Sequence, residues 1–238
     1  MIEPEPISHE APALAGRAIA SQRWSHLTFL HWRVESDRIA PLLPAGVVPD
    51  EYDGSSWVGL IAFELDRATL FGSPPLPYFG SFIEVNVRLY AVDELGRRGV
   101  VFRSLEASRL AAVLVARAAF RLPYFWAGTR MQREGRLVGY DSTRHVGGPA
   151  TRIRVRAGAR VEPSSLDDFV TARWGMFTRR RGSTVFVPNE HPPWALHSAE
   201  LLDLDDDLIA AAGLPGIAVR PPESVLFSPG LVTRFGRG

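Results

Sequence analysis

Lysine is absent from this 238-residue chain, and so is cysteine. The 27 residues counted as Lys or Arg are all arginine. Two of the commonest covalent catalysts are thereby excluded, the amine that forms Schiff bases and the thiolate. Arginine does not stand in for lysine, because its guanidinium stays protonated and is a poor nucleophile. A GC-rich genome is the ordinary cause of such a bias, and the chemical exclusion holds under any cause. Without cysteine there is neither a disulfide framework nor a thiolate metal site. Net charge is scarce too: at +1, no global field recruits nucleic acid or an anionic membrane. No uninterrupted apolar run approaches the roughly 20 residues of a membrane-spanning helix. The first fifteen residues are acidic, carry proline and lack the apolar stretch of a secretory signal. The expectation is a soluble cytoplasmic protein.

What is present supports one sizeable core, since 46% of residues are hydrophobic. Residues 1–20 read as a flexible tail, Arg234–Gly238 as another, and 21–233 as a single domain. Strands are predicted over Trp24–Leu30, Trp57–Leu65, Ser81–Val92, Val100–Leu105, Thr129–Gly139, Thr151–Val161 and Ser224–Phe227. The Pro-rich stretch Ser73–Pro77 and the segment Pro188–Trp194 read as loops. Helices are predicted at Ser36–Leu43, Ser108–Phe120, Leu166–Thr171 (capped by Ser164 or Ser165) and Asp205–Ala212. The count favours a mainly β fold, a closed barrel or strongly curved sheet with a few short helices.

Standard catalytic motifs are missing, and the six histidines show no metal-ligand spacing. The most informative segment is Glu84-Val85-Asn86-Val87-Arg88. Its three polar residues share one side of a strand, flanked there by Phe82 and Tyr90, while Ile83, Val85, Val87 and Leu89 take the other. Alternation puts such a stripe on any solvent-facing strand; in a barrel, an inward polar stripe marks a ligand pocket. Both readings stand at this point. Arg152, Arg154 and Arg156 also alternate, and without aromatic company they read as a solvated outer face. Asn189-Glu190-His191-Pro192-Pro193-Trp194 is stiffened by proline, so it is a rigid surface turn or a pocket lid.

Taken in order, these segments resemble the YqjF-like (DUF2071) family of uncharacterised bacterial proteins. The resemblance runs from about Gln22 to Phe227. It is carried by Gln22-Arg23-Trp24, Leu30-His31-Trp32, Leu42-Leu43-Pro44, Trp57-Val58-Gly59, Glu84-x-Asn86-Val87-Arg88, Leu122-Pro123-Tyr124-Phe125 and His191-Pro192-Pro193-Trp194. That family is similar in turn to acetoacetate decarboxylase, a mainly β barrel around an apolar cavity. The decarboxylase forms a Schiff base on a lysine whose pKa an adjacent lysine depresses; a glutamate and an arginine also line its site. The resemblance puts Glu84 at that glutamate and Arg33 near that arginine. Where the lysine pair would follow a proline, this chain has Tyr124-Phe125 after Pro123, so imine chemistry is not expected.

The reading that follows is a non-covalent pocket for an organic acid or carbonyl compound, with Glu84, Tyr124 and Arg33 as the catalytic candidates. Arg88, Asn86, His31, Trp32, Trp57, His191 and Trp194 are the candidate ligand-binding residues. If there is turnover, it is acid–base chemistry beside a carbonyl, of the lyase or hydratase kind. The alternative is a ligand-binding or carrier protein without turnover. A third reading makes Glu84 and Arg88 an ion pair that sets sheet register. No metal and no cofactor are expected, and the expected partner is a small molecule, without nucleic acid or membrane. Homo-oligomerisation is left open, as is whether Phe82, Phe102 and Phe120 fill the interior.

Overall fold

The computed structural model describes residues 2–76, 80–110, 121–180 and 182–238. Among them the chain forms β1 (Ala20–Val34), β2 (Val47–Pro49), β3 (Ser56–Leu70), β4 (Phe82–Asp93), β5 (Arg98–Ala107) and β6 (Tyr124–Glu134). There follow β7 (Leu137–Arg144), β8 (Ala150–Arg160), β9 (Gly175–Arg180), β10 (Ser183–Glu190), β11 (His197–Asp206) and β12 (Ser224–Phe235). Helices are short: α1 (Ser36–Ile39), extended by a tight turn over Ala40–Leu42, α2 (Ser165–Thr171) and α3 (Leu208–Ala211). The helix predicted over Ser108–Phe120 falls mostly on 111–120, outside the described residues.

Strand neighbours run β4-β5-β6-β7-β8-β11-β12-β1-β3 and return to β4, closing a barrel of nine strands. Its interior is packed with apolar side chains. Val85, Val87 and Leu89 of β4 pack in one cluster with Leu30 and Trp32 of β1 and with Tyr140, Ile153 and Val155 from β7 and β8. Each such side chain contributes roughly 1.5–3 kcal/mol by leaving water. The period-two pattern of β4 is therefore as predicted, but its apolar side, not its polar side, faces the barrel axis.

The polar side looks into a second ring. β9 and β10 form a hairpin outside the barrel. β9 meets β5 in parallel at Val100 and Met176, and β10 pairs with β12 through Asn189–Phe235 and Glu190–Arg234. The ring β5-β9-β10-β12-β1-β3-β4 thus shares five strands with the barrel. Glycine lets the hairpin come this close. A Cβ on Gly99 would sit 2.8 Å from the Phe177 ring of β9, and within the hairpin one on Gly175 would sit 2.1 Å from the Phe186 ring of β10. In β1 a bulge at His26, with φ of 57°, shifts the register between Ser25 and Thr28. The extra residue reverses which parity faces which compartment, so Trp24 before the bulge packs with Leu27 and Phe29 after it.

Several predicted elements are corrected. The single strand expected over Thr129–Gly139 is cut by a turn at Gly135 (φ 59°) into β6 and β7. β9, β10 and β11 were not foreseen. The last helix loses Asp205 and Asp206, which instead pair with Arg152 and Thr151 along β11 and β8. The alternating arginines are charge-paired: Arg152 with Asp203 at 2.6 Å, Arg154 with Asp141 at 2.8 Å and Arg156 with Glu200 at 2.5 Å. Both terminal segments make contacts with the body of the chain. The Ser8 carbonyl accepts from Trp174 Nε1 (2.9 Å), the Leu14 amide donates to Glu190 Oε2 (3.0 Å), and Arg234 pairs with Glu190 at 2.6 Å.

One buried carboxylate fastens the hairpin's root. Asp50, just past β2, accepts from Arg98 Nη1 and Arg173 Nη1, both at 2.5 Å. Arg173 also donates from Nε to the Phe169 carbonyl of α2 (2.6 Å) and stacks over the Phe169 and Tyr90 rings. Removing one partner of a buried pair leaves an uncompensated charge in low dielectric. Asp50→Ala is therefore expected to lower stability by about 3–5 kcal/mol, read from the urea midpoint. A loss no larger than the roughly 1 kcal/mol of a surface pair would contradict this.

Candidate functional site

A cavity of about 140 Å³ lies in the second ring, between the shared wall and the β9–β10 hairpin. Apolar residues make most of its described wall, including Val100, Phe102 and Leu105 of β5, Met176 of β9 and Phe235 of β12. Its polar residues come from separate elements: Gln22 (β1), Glu84 and Arg88 (β4), Tyr124 (β6), Arg173 after α2, and Asn189 and His191 at the end of β10 and just beyond. Of the three phenylalanines considered as filling, Phe102 lines the cavity. Phe82 packs beside it with Leu105 and Tyr124, and Phe120 lies outside the described residues.

Glu84 and Tyr124 form one polar pole. The Tyr124 hydroxyl donates to Glu84 Oε2 at 2.7 Å, and Asn86 Nδ2 donates to Glu84 Oε1 at 3.1 Å. β6 starts beside β5, with Tyr124 in register with Leu105, while Asn86 pairs across to Leu105 on the other edge. Two strand contacts thus converge on one carboxyl. Burial raises the Glu84 pKa from 4.5 to about 7, against the two hydrogen bonds that favour the anion; Glu106 adds a smaller push in the same direction. Burial, then the charge of Glu84, holds the Tyr124 hydroxyl well above the ordinary tyrosine range. Glu106 is itself clamped by Arg144, which donates Nε and Nη2 to it within 3.0 Å.

Arg88 forms the cationic pole. Its Nε donates to the Tyr90 hydroxyl (3.0 Å) and Nη2 to the Val170 carbonyl (2.7 Å), which leaves Nη1 for other company. Tyr90 donates to the same carbonyl at 3.0 Å and lies 2.7 Å from His31 Nε2. Burial, then Arg88 and Arg173, keeps His31 well below the ordinary histidine range and so neutral. Glu84 and Arg88 are not the register-setting ion pair considered above: each carries its own hydrogen bonds to other groups.

Of the residues singled out in the sequence, Glu84, Tyr124, Arg88, His191 and Trp194 meet on this cavity. Asn86 and His31 stand one layer behind it, holding Glu84 and Tyr90. Three expectations are corrected. Arg33 points away: it pairs with Asp53 at 3.1 Å and lies 4.9 Å over the Trp57 ring, at the far end of β1. Trp32 is on the opposite face of β1, in the barrel core, its Nε1 donating to the Arg220 carbonyl at 2.9 Å. Trp57 packs with Tyr90 and Phe169 and does not reach the cavity. Arg173 was missed, because the turn into the hairpin carries no motif; Asn189 opened a noted segment but was not named as a site residue, and it lines the cavity. Gln22 and Trp24 belonged to a noted motif, yet a strand start gives no sign of which face it will present.

The DUF2071 family model, described as an uncharacterized conserved protein, matches residues 21–232. The chain belongs to this family. A DUF2071 relative, YqjF of Bacillus subtilis (strain 168), is 32% identical over 186 residues, 76% of each chain. Among solved structures, an acetoacetate decarboxylase-like enzyme from Sphingomonas wittichii RW1 superposes with a TM-score of 0.62, covering 93% of this chain and 92% of that one at 14% identity. Acetoacetate decarboxylase from Legionella pneumophila gives 0.60 at 12% identity, with 94% and 88% covered. The enduracididine biosynthesis enzyme MppR complexed with pyruvate gives 0.58 at 14%, with 93% and 88% covered. At such identities the likeness shows the fold: this DUF2071 chain has the mainly β, acetoacetate decarboxylase-like barrel.

Glu84 gives a pH signature. Its folded value lies above its ordinary one, so folding takes up a proton between about 4.5 and about 7. The stabilisation is full below that window and is lost as pH rises through it. His191 shifts the opposite way, lowered by burial to about 4, and loses stability as pH falls, so only a difference isolates Glu84. The stability of wild type relative to Glu84→Gln is expected to fall by about 3 kcal/mol from pH 5 to pH 8. A difference that stays constant with pH in urea titrations would show Glu84 to be an ordinary carboxylate.

Proposed function

We propose that this cavity binds a small organic acid or carbonyl compound without covalent attachment, and that Glu84 exchanges a proton with it beside the carbonyl. The observation that carries this reading is the Tyr124–Glu84 hydrogen bond of 2.7 Å, buried on the same apolar-walled cavity as Arg88. A general acid–base works best with a pKa near the operating pH, and Glu84, raised to about 7 by burial, has one. The Glu84 carboxylate takes the proton from the carbon next to the carbonyl. The C–H electron pair becomes the C=C bond of an enolate, whose oxyanion Arg88 Nη1 stabilises by a charge-assisted hydrogen bond. Return of a proton from Glu84 to that carbon completes the exchange. The 2.7 Å bond from Tyr124 orients the carboxyl.

Support also comes from fold relatives that include decarboxylase-like enzymes and a protein solved with pyruvate. The lysine-free composition removes Schiff-base decarboxylation from consideration for the folded body of the chain.

Solvent deuterium should enter C3 of 2-ketobutyrate, the carbon next to the ketone, in D₂O faster with protein than without, followed by proton NMR. Glu84→Gln should lower that rate by about 10²–10⁴-fold. An uncatalysed rate with wild-type protein, alongside saturable binding of the acid, selects a carrier without turnover. Borohydride treatment with pyruvate should add no mass to the folded part of the chain, and an adduct there would overturn non-covalent binding.

A further inference from the structure

The segment Asn189–Trp194 presents a hydrogen-bond acceptor to the cavity, and its orientation follows from chemistry alone. His191 Nδ1 lies 2.7 Å from the Pro192 carbonyl. A carbonyl only accepts, so Nδ1 carries the hydrogen and the neutral ring leaves Nε2 as a bare lone pair. Among the described residues nothing donates to Nε2. The ring is held by Trp174 and Trp194, at centroid distances of 4.5 and 4.7 Å, and Trp194 is anchored by donating Nε1 to the Thr171 carbonyl at 3.0 Å. His191 is itself 7% exposed and lines the cavity.

Asn189 repeats the pattern. Its Nδ2 donates to the Arg173 carbonyl at 3.2 Å, which turns Oδ1 outward as a second acceptor. Gln22 is fixed the opposite way: Oε1 accepts from Trp24 Nε1 at 2.9 Å, leaving its NH₂ as a donor. A carboxylate alone satisfies Arg88 and Gln22 but gives nothing to His191. An ammonium would satisfy His191 yet meet the cationic field of Arg88, which is near enough to disfavour protonation of that ring. A neutral hydroxyl is the donor that fits.

We propose that His191 is a specificity-determining residue which accepts a hydrogen bond from a hydroxyl of the bound acid, so that the cavity selects hydroxy acids over their deoxy counterparts. This rests on the organic-acid reading above and names the class of acid. It accounts for the stiff His-Pro-Pro-Trp run: the two prolines bring no N–H to compete for the lone pair.

The test uses matched probes on the full chain: lactate with propionate, 3-hydroxybutyrate with butyrate, and mandelate with phenylacetate, each titrated by calorimetry. In at least one pair the hydroxy acid should bind about tenfold tighter or more, as expected when a buried acceptor would otherwise go unpaired. His191→Phe keeps an aromatic ring between the two tryptophans and removes the acceptor. It should abolish the preference, bringing the hydroxy acid's affinity to within about twofold of the deoxy acid's. Equal binding of both members of every binding pair by wild type overturns the hydroxyl assignment and leaves the organic-acid reading intact. A preference that survives in His191→Phe overturns the role of His191. No binding by any of the six acids overturns the organic-acid reading and this inference with it. If His191→Phe does not fold, His191→Leu is titrated in its place, and a preference that survives there overturns the role of His191.

Discussion

A strand buried on both sides answers to two interiors, and β4 carries that constraint for the whole molecule. Its odd-numbered side chains complete the apolar core of the nine-strand barrel. Its even-numbered ones, Glu84, Asn86, Arg88 and Tyr90, face the second ring. Because the alternation is strict, neither set can move without dragging the other. A one-residue slip would put a carboxyl and a guanidinium among Leu30, Val58 and Val155, at the cost of burying unpaired charge. The polar groups of the site are thus positioned by the hydrophobic effect acting on their neighbours in sequence.

The second ring exists because a hairpin with little core of its own is fastened at a few points. Gly99 admits the close pass of β9 along β5, and Gly175 makes room for the Phe186 ring of β10 within the hairpin. Asp50 gathers Arg98 and Arg173 where the chain enters the hairpin. At the other end, Glu190 joins Arg234 and the Leu14 amide. Between these fastenings lies a cavity whose described polar rim is made of groups already half-used. Arg88, Asn189, His191 and Gln22 each give part of their hydrogen-bonding capacity to the protein and present the remainder. Such partial satisfaction fixes orientation before a ligand arrives and reduces the ordering cost of binding.

Tyr124 follows Pro123 at the start of β6, and its hydroxyl reaches Glu84 at 2.7 Å. A hydroxyl cannot serve as an electron sink, but it orients the carboxyl and shares its proton. Desolvation of Glu84 then does work that a charged neighbour would otherwise do, since burial alone carries its pKa into the neutral range.

Much of this was legible in the chain. Period-two patterning identified β4, β5 and the mainly β class, and the missing lysine and cysteine left no side-chain amine for imine chemistry and no thiolate. Composition and local order depend on residue identity, so they do not wait for the fold. Which compartment each face addresses did wait. The polar stripe of β4 looked like the lining of a barrel and lines a second ring, because only strand pairing decides which side encloses the larger core. Arg33 matched an expected arginine, yet lies at the far end of a fifteen-residue strand, beyond reach of the cavity. Trp32 fell on the wrong side of a bulge, where one extra residue reverses the faces. Arg173 entered from a turn with no motif, and its meeting with Asp50, 123 residues away in sequence, is a property of tertiary closure alone.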